Sequence, residues 1–277
     1  RGPSSIRAFS DQMRRETESR AELREEVAQA LDSGQIQPWF QPQISTDTGQ
    51  ITGFEALARW NHPVQGMIPP SDFLPAVEEA GLLERLAEVM MYHSFAALKA
   101  WDSSGTEVPQ IGVNFAGGEL ANPQLIDKVT WELDRFDLSP ERLAIEVLET
   151  VVASAADDVI TRNINALRKL GCRIDLDDFG TGHASIASIR RFSVSRIKID
   201  RSFVVNMDKS EPSNRIVRSI ANLALSLEMD IVAEGIEEKT QMDDLRGLGC
   251  QYGQGYFMAK PMPADDIIEL IESRPNW

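Results

Sequence analysis

The fold is decided by the segment CRIDLDDF at residues 172–179, which is followed by a helical pattern at 184–192 and by RIKID at 196–200. Within these segments the β-rich runs are Cys172–Leu176 and Arg196–Ile199. Both runs are short and rich in aliphatic residues, as is typical of strands buried on both faces of a parallel sheet. A helical pattern at 212–229 and a β-rich run at Asp230–Ala233 continue the series. Strands that alternate with helices in this way indicate an α/β protein.

The alternation extends outward over the chain from about residue 36 to its end. Further β-rich runs are Trp39–Ile44, Phe54–Trp60, Ile111–Phe115, Leu143–Leu148 and Tyr252–Phe257. Helical patterns lie at 72–100, 119–136, 155–170, 238–248 and about 264–273. Eight such strands predict a closed (β/α)8 barrel of the TIM type. The connection at 45–53 is too short for a crossover helix and contains the turn residues Asp47-Thr48-Gly49, so we expect an antiparallel first strand.

Composition limits the class of function. The chain has 28 Lys and Arg against 43 Asp and Glu, a net charge of −15, which excludes a basic face for long nucleic acid. Two cysteines are too few for a disulfide scaffold and favour a reducing cytoplasm. No apolar run approaches the roughly 18 residues of a membrane span. We therefore expect a cytoplasmic domain, with any membrane tether in upstream segments.

Residues 1–35 differ from the rest in being densely charged with both signs. Leu23, Val27 and Leu31 recur at four-residue spacing and form one narrow apolar stripe. The chain starts Arg1-Gly2-Pro3 without a signal-peptide pattern. We interpret residues 1–35 as a linker helix from an upstream region, docked at its C-terminal end, and residues 36–277 as the folded domain.

Charged and amide side chains recur in strand after strand and at the strand ends. They are Glu55, Asn114, Glu146, Asp175, Asp177, Asp178, Lys198, Asp200, Glu234 and Gln254. A buried charge is costly unless it is paired or bound to a metal, and active sites of barrels form where strands end. Carboxylate and amide oxygens favour Mg²⁺ or Mn²⁺, whereas the three histidines lack the spacing of zinc ligands.

Acids and one lysine together fit hydrolysis of a phosphate ester with two metal ions. A glycosidase with a carboxylate pair is the alternative. It would not require adjacent acids, an amide and a lysine at once.

The residues at this point resemble a known family. Phe54-Glu55-Ala56-Leu57-Ala58-Arg59-Trp60 is similar to the signature of EAL domains, the bacterial phosphodiesterases for cyclic di-GMP. The resemblance covers about residues 36–273 in order. It continues through Phe40-Gln41-Pro42, Asn61-His62-Pro63, Asn114-Phe115, Glu146-Val147-Leu148-Glu149-Thr150, Asp177-Asp178-Phe179-Gly180-Thr181-Gly182, Ile197-Lys198-Ile199-Asp200, Ala233-Glu234-Gly235-Ile236-Glu237 and Gln254-Gly255-Tyr256. It implies a modified barrel whose first strand is antiparallel.

The resemblance also implies a set of site residues. Two ions, Mg²⁺ or Mn²⁺, would be held by Glu55, Asn114, Glu146, Asp177, Asp178 and Glu234, with Asp177 between them. Glu55, Lys198 and Glu234 would take part in catalysis, Lys198 by orienting the attacking water or stabilising charge and Glu234 as candidate general base. The product would be the linear dinucleotide pGpG.

Substrate contacts would come from Gln41, Leu57, Arg59, Asp200 and Gln254, with Arg59 on a phosphate. Behind the ligands, Glu149 would anchor the loop Phe179–Ser188, and Glu237 would give similar support.

Partners and regulation follow from the same resemblance. It implies bacterial second-messenger signalling, a homodimer, and an upstream sensor or diguanylate cyclase (GGDEF) domain. His183 and Ala184 depart from the pattern that usually follows Asp-Phe-Gly-Thr-Gly, which puts loop and dimer regulation in question. The competing functions are a silent module that binds cyclic di-GMP as a receptor and a structural barrel. Both are disfavoured because every metal position and the lysine are filled.

Overall fold

The computed structural model describes residues 23–154, 158–182, 185–207, 210–273 and 277. Its centre is a barrel of eight strands. They are β1 (Ile36–Ser45), β2 (Ile51–His62), β4 (Ile111–Phe115), β5 (Leu143–Leu148), β6 (Arg173–Phe179), β7 (Arg196–Ile199), β8 (Asp230–Ala233) and β9 (Tyr252–Gln254). A short ninth strand, β3 (Gly66–Ile68), forms a hairpin with the end of β2 outside the closed ring.

The strands close into a ring in the order β1-β9-β8-β7-β6-β5-β4-β2, with β2 pairing back onto β1. β1 runs antiparallel to both of its neighbours, and the other pairings in the ring are parallel. The predicted barrel with an antiparallel first strand is confirmed. The β1–β2 register places Gln41 opposite Glu55, which brings a side chain of the first strand to the position of the acids.

Helices cover the outside of the barrel. They are α1 (23–32), α2 (Pro70–Glu79), α3 (Leu83–Ser103), α4 (Gly117–Leu120), α5 (Leu125–Phe136), α6 (Glu149–Ser154), α7 (Asp158–Leu170), α8 (Ile186–Arg191), α9 (Arg201–Val204), α10 (Glu211–Ser226), α11 (Lys239–Gly247) and α12 (Ala264–Glu272). Their apolar faces pack on the strands and share one hydrophobic core with them. Among the described helices, none is long and apolar enough to cross a bilayer.

The helical pattern at 72–100 corresponds to two helices, α2 and α3, because the chain breaks around Gly81. Gly81 has φ +69°, a left-handed conformation that favours glycine and ends a helix. The last strand is also shorter than the predicted 252–257. It ends at Gln254, and the next residue, Gly255, lies against the backbone of Ile236, where a side chain would overlap.

The helix α1 is built into the core instead of standing apart from it. Leu23, Val27 and Leu31 are at most 3% exposed. Nε2 of His62, at the end of β2, lies 2.6 Å from Oε2 of Glu26. These contacts tie α1 to the strand that carries Glu55, while a domain boundary at residue 35 stays a prediction.

Candidate functional site

Polar side chains of seven strands meet at one end of the barrel. Each predicted ligand lies in a strand or directly after one, at the carboxyl ends of the parallel strands, where barrel enzymes build their sites. Glu55 stands in β2, Asn114 in β4, Glu146 in β5, Asp177 and Asp178 in β6, and Glu234 follows β8. Lys198 comes from β7 and Gln254 from β9.

Lys198 lies at the centre of the acids and is fully buried. Its Nζ is 2.7 Å from Oε2 of Glu146 and 2.7 Å from Oε1 of Glu234. The same ammonium is 3.0 Å from Oδ1 of Asp177 and 3.3 Å from Oε2 of Glu55. One ammonium group thus contacts four carboxylates that lie in, or directly after, four different strands. Without this cation their negative charges would be left uncompensated inside the barrel.

Amide side chains fix the orientation of Glu55. Nδ2 of Asn114 donates to its Oε1 at 3.1 Å, and Nε2 of Gln254 donates to its Oε2 at 2.6 Å. Gln254 also donates to Oε1 of Gln41 at 3.1 Å and accepts from Nε2 of Gln43 at 2.9 Å. This amide network crosses from β9 to β1 and holds the Glu55 carboxylate in one position.

Asp177 and Asp178 reach the same site although neighbouring residues of a strand normally point to opposite faces. The β6–β7 register pairs Leu176 with Ile197 and then Phe179 with Ile199, so β6 has a bulge of one extra residue. Asp178 takes φ +54° there, a left-handed conformation in which aspartate is among the better tolerated side chains. The bulge explains how one strand presents two adjacent carboxylates.

Glu146 depends on the absence of a side chain in the neighbouring strand. A Cβ on Gly112 would overlap the Glu146 carboxylate. Oε1 of Glu146 is buried and has no hydrogen-bond partner among the described residues. A buried carboxylate oxygen without a donor is costly, and a cation would satisfy it.

The electrostatics of the site are those of crowded acids around one base. Burial and the nearby charge of Glu55 raise the pKa of Glu146 well above its usual range. Burial also raises the pKa of Asp177, and it raises that of Glu234 to about 8, against the opposing charge of Lys198. Glu55 differs, because Lys198 and the two amide donors outweigh burial and lower its pKa.

Asp178 and Lys198 complete this pattern. Burial and the charge of Asp177 raise the pKa of Asp178 to about 6, with a further contribution from Asp200 beside it. Burial alone would lower the pKa of Lys198, but the surrounding carboxylates raise it well above its usual range. Positive charge is therefore strongly favoured at this point of the barrel.

Two groups of acids could each hold a metal ion. In the first, Glu55, Glu146 and Asp177 offer oxygen atoms that all lie within 4.8 Å of one another. Asp177, Asp178 and Glu234 form the second in the same way. Their oxygen chemistry and the unpartnered Oε1 of Glu146 fit hard divalent ions.

A cavity of about 770 Å³ opens over the acids. Leu57, Arg59, Gln41 and Gln254 line it, whereas Asp200 lies beside Asp178 and caps the start of α9 by accepting from the backbone N–H of Ser202 at 3.0 Å. One wall is apolar and contains Pro70, Leu74, Leu83, Leu86, Met90 and Phe115. The lining of the cavity thus combines apolar side chains with the guanidinium of Arg59 and several of the acids.

Glu149 and Glu237 stand behind the acids in different ways. Oε2 of Glu149 accepts from the backbone N–H groups of Gly180 and Gly182, both at 2.9 Å, where the chain leaves β6. Oε1 of Glu237 accepts instead from Nη2 of Arg201 at 2.8 Å, near the cavity mouth. His183 and Ala184 lie outside the described residues.

Sequence reasoning missed several residues that shape the site. Gln43 shares its strand face with Gln41, and this period of two could have identified it. Gly112 carries no signal of its own, because its role depends on Glu146 in another strand. Arg201 lines the cavity mouth and lies 5.7 Å from the ring of Tyr256, a contact that spacing does not reveal.

The fold and site define a TIM-type barrel with a cluster of acids that could hold metal ions. Residues 24–261 match the family model described as EAL domain, and the chain belongs to this family.

Two curated relatives and a solved structure match this chain over most of its length. The chain is 33% identical over 95% of its length to the bifunctional diguanylate cyclase/cyclic di-GMP phosphodiesterase MucR of Pseudomonas aeruginosa, covering 38% of that protein. It is 33% identical over 88% of its length to the cyclic di-GMP phosphodiesterase RocR of the same organism, covering 62% of it. Against the structure titled "PaMucR Phosphodiesterase, c-di-GMP complex" the TM-score is 0.84, with 34% identity and 89% and 99% of the two chains covered. The chain spans about a third of the length of several curated relatives that it matches.

Proposed function

We propose that this chain is a phosphodiesterase that hydrolyses cyclic di-GMP to linear pGpG, with two divalent ions, Mg²⁺ or Mn²⁺. The observation that carries the proposal is the convergence of four carboxylates, three of them buried, on Lys198. Two groups of acids that could each hold a metal ion share Asp177, and acids of both groups line a cavity of about 770 Å³. The relatives named as cyclic di-GMP phosphodiesterases support this choice of substrate.

The metal ligands are proposed from the two groups of acids. Glu55, Glu146 and Asp177, with the amide of Asn114, would hold one ion, and Asp177, Asp178 and Glu234 the other. When bound, such ions lower the pKa of water and neutralise charge on the phosphate. The net negative site would then accept an anionic dinucleotide.

The chain's own residues would bind and orient the substrate and move the proton. The Arg59 guanidinium lines the cavity and would bind a phosphate, while Gln41, Leu57 and Gln254 border the same space. Asp200 beside Asp178 is proposed as a further pocket residue. The apolar wall offers a surface for a guanine ring and excludes water from it.

In the reaction, the oxygen of a water molecule would attack phosphorus as the bond to the ribose oxygen breaks. Glu234 would accept the proton of that water, and the departing ribose oxygen would take a proton from solvent. Lys198, which touches each acid but Asp178, would hold the water and the developing charge in line. Glu149 would hold the backbone after β6 in place, and Glu237 would restrain Arg201 at the mouth.

The deciding experiment is hydrolysis of cyclic di-GMP by the purified chain with Mg²⁺ or Mn²⁺, with the product identified by chromatography. We expect pGpG with metal and none in EDTA. E55A should abolish turnover, while E107A, at an exposed position away from the cavity, should not change it. Tight binding of cyclic di-GMP without turnover in either metal would instead favour a receptor module.

Location and assembly are proposals as well. We propose a cytoplasmic domain that follows a sensor or diguanylate cyclase domain and acts as a homodimer. Light scattering with and without cyclic di-GMP tests the dimer, and a strict monomer in both states would contradict it.

A further inference from the structure

The barrel carries a second buried ion pair directly below the acids. Nε of Arg196 donates to Oδ2 of Asp175 at 2.9 Å, and Nη2 of Arg196 contacts the same oxygen. The two side chains are 3% and 0% exposed. The interior of such barrels is usually filled by branched apolar residues, so this pair is a departure that needs a reason.

The register of the strands shows where this pair stands relative to the candidate metal ligands. Asp175 lies opposite Glu146 of β5 on one side and opposite Arg196 of β7 on the other. Arg196 and Lys198 are two residues apart on the same strand, and both are buried within the barrel. Asp175 therefore separates the Arg196 cation from Glu146.

Arg196 has few alternatives to Asp175. Among the described residues, Asp175 is the only acid with an oxygen within 4 Å of the Arg196 guanidinium, whose flank faces the ring of Tyr252 at 5.6 Å. Burial alone would lower the pKa of Arg196, but Asp175 and, more weakly, Glu146 outweigh it and raise the pKa. Glu146 therefore attracts the Arg196 guanidinium electrostatically, although Asp175 lies between them.

Stability alone is a poor explanation of this arrangement, because a buried ion pair is often no more stabilising than two apolar side chains of similar size. We propose that Asp175 is a positioning residue that neutralises Arg196 and keeps its guanidinium away from the carboxylates, so that these carboxylates remain available to divalent ions. The inference rests on the proposed function in that the carboxylates bind metal.

The proposal predicts effects of opposite direction for the two partners. D175N leaves Arg196 charged, and the guanidinium is then drawn to Glu146, where it competes with the metal. R196M leaves an additional negative charge near Glu146 and does not obstruct it. The double variant D175N/R196M removes both charges together.

The experiment is calorimetric titration of Mn²⁺ into the full chain without nucleotide, after circular dichroism has shown that each variant is folded. We expect Mn²⁺ affinity to fall about 10- to 100-fold in D175N, the range found when groups behind metal ligands are removed. R196M should bind as tightly as the unchanged chain or tighter, and the double variant should bind within about threefold of it. R173M/D230N is the matched control, because this pair, 3.6 Å apart, also joins β6 to another strand of the barrel, here β8, but is 40% exposed at both partners.

Equal losses in D175N and R196M would overturn the inference, as would a double variant as weak as D175N. If D175N does not fold, R196M and the double variant still decide, since a purely structural pair would weaken Mn²⁺ binding in both. An unchanged chain that binds no Mn²⁺ would overturn both this inference and the proposed metal site. An unchanged chain that binds Mn²⁺ but leaves cyclic di-GMP intact would overturn only the proposed hydrolysis.

Discussion

Nζ of Lys198 lies 2.7 Å from Oε2 of Glu146, and both side chains are completely buried. The lysine meets three other carboxylates within 3.3 Å, so its single charge is shared by four acids. Replacement of Lys198 should therefore affect both the stability of the protein and its hydrolytic activity.

Replacing Lys198 by methionine should destabilise the metal-free protein by about 3–5 kcal/mol, because removal of one partner leaves buried charges uncompensated. Mn²⁺ should restore more stability to K198M than it adds to the unchanged chain. Hydrolysis of cyclic di-GMP should fall at least about 100-fold. The measurements are urea unfolding in EDTA and in Mn²⁺, and turnover at saturating metal.

The control for K198M is K239M. Lys239 is 64% exposed, and its Nζ forms a surface ion pair with Oδ1 of Asp243 at 3.6 Å. Loss of such a pair should change the free energy of unfolding by less than about 1 kcal/mol. Equal stabilities of K198M and K239M in EDTA would contradict the central role of Lys198.

Introducing a methyl group at Gly112 should displace the Glu146 carboxylate, which occupies the space of the missing Cβ. We expect G112A to lose about 1–3 kcal/mol of stability through overpacking. Its Mn²⁺ affinity should fall about 10-fold or more. The control is G118A, since a Cβ at Gly118 meets no atom within 4 Å. A G112A variant that binds Mn²⁺ normally would show that Glu146 is not a ligand.

Removing the Glu149 carboxylate should loosen the chain after β6. E149A takes away the acceptor of the Gly180 and Gly182 N–H groups, so hydrogen exchange at these amides should accelerate. We expect turnover to fall about 10-fold or more because Asp177 and Asp178 directly precede this segment. E149Q keeps an acceptor oxygen, so its turnover should lie between that of E149A and that of the unchanged chain. Unchanged exchange in E149A, matched against E107A, would contradict this role.

Glu119 lies outside the two groups of acids and should make the free energy of unfolding depend on pH. Its side chain is almost fully buried, and burial raises its pKa to about 8 despite a backbone hydrogen bond from Ala116. A pKa that is higher in the folded state than in the unfolded state gives stability at low pH that is lost as pH rises from about 4.5 through 8.

The variant E119Q should remove this loss. At pH 5 it should match the unchanged chain, and at pH 9 it should be more stable by up to about 5 kcal/mol, since one pKa unit corresponds to about 1.4 kcal/mol. Urea unfolding at both values measures the difference. The variant E107Q, at an exposed position, serves as the control. Parallel pH profiles of E119Q and the unchanged chain would refute the burial argument.

Much of the fold follows from local patterns in the chain. Buried parallel strands such as Leu143–Leu148 are continuous apolar runs, and the short turn at 47–49 leaves no room for a crossover, so strand number and the antiparallel first strand can be predicted. The break at Gly81 could not, because a helical pattern of apolar residues continues across it. The hairpin strand β3 is only three residues long and has no periodicity to detect.

The candidate site shows the same division. Its acids are recognisable because charge is costly inside a strand, and Glu55 and Glu146 stand out for that reason. Their mutual distances depend on barrel closure, which brings β2 and β7 together across the interior. The pairing of Asp175 with Arg196 is likewise invisible in the sequence, because 20 residues and a helix separate the two partners.

The bulge in β6 has a consequence for the spacing of the two groups of acids. Asp177 belongs to both groups, and Asp178 is its covalent neighbour, with Cα atoms about 3.8 Å apart across a trans peptide. The link between the two groups of acids is therefore a stretch of one strand and does not depend on the spacing between neighbouring strands. Thermal motion of the strands relative to one another would change the distances between acids of different strands, but it would leave the Cα–Cα distance between Asp177 and Asp178 unchanged.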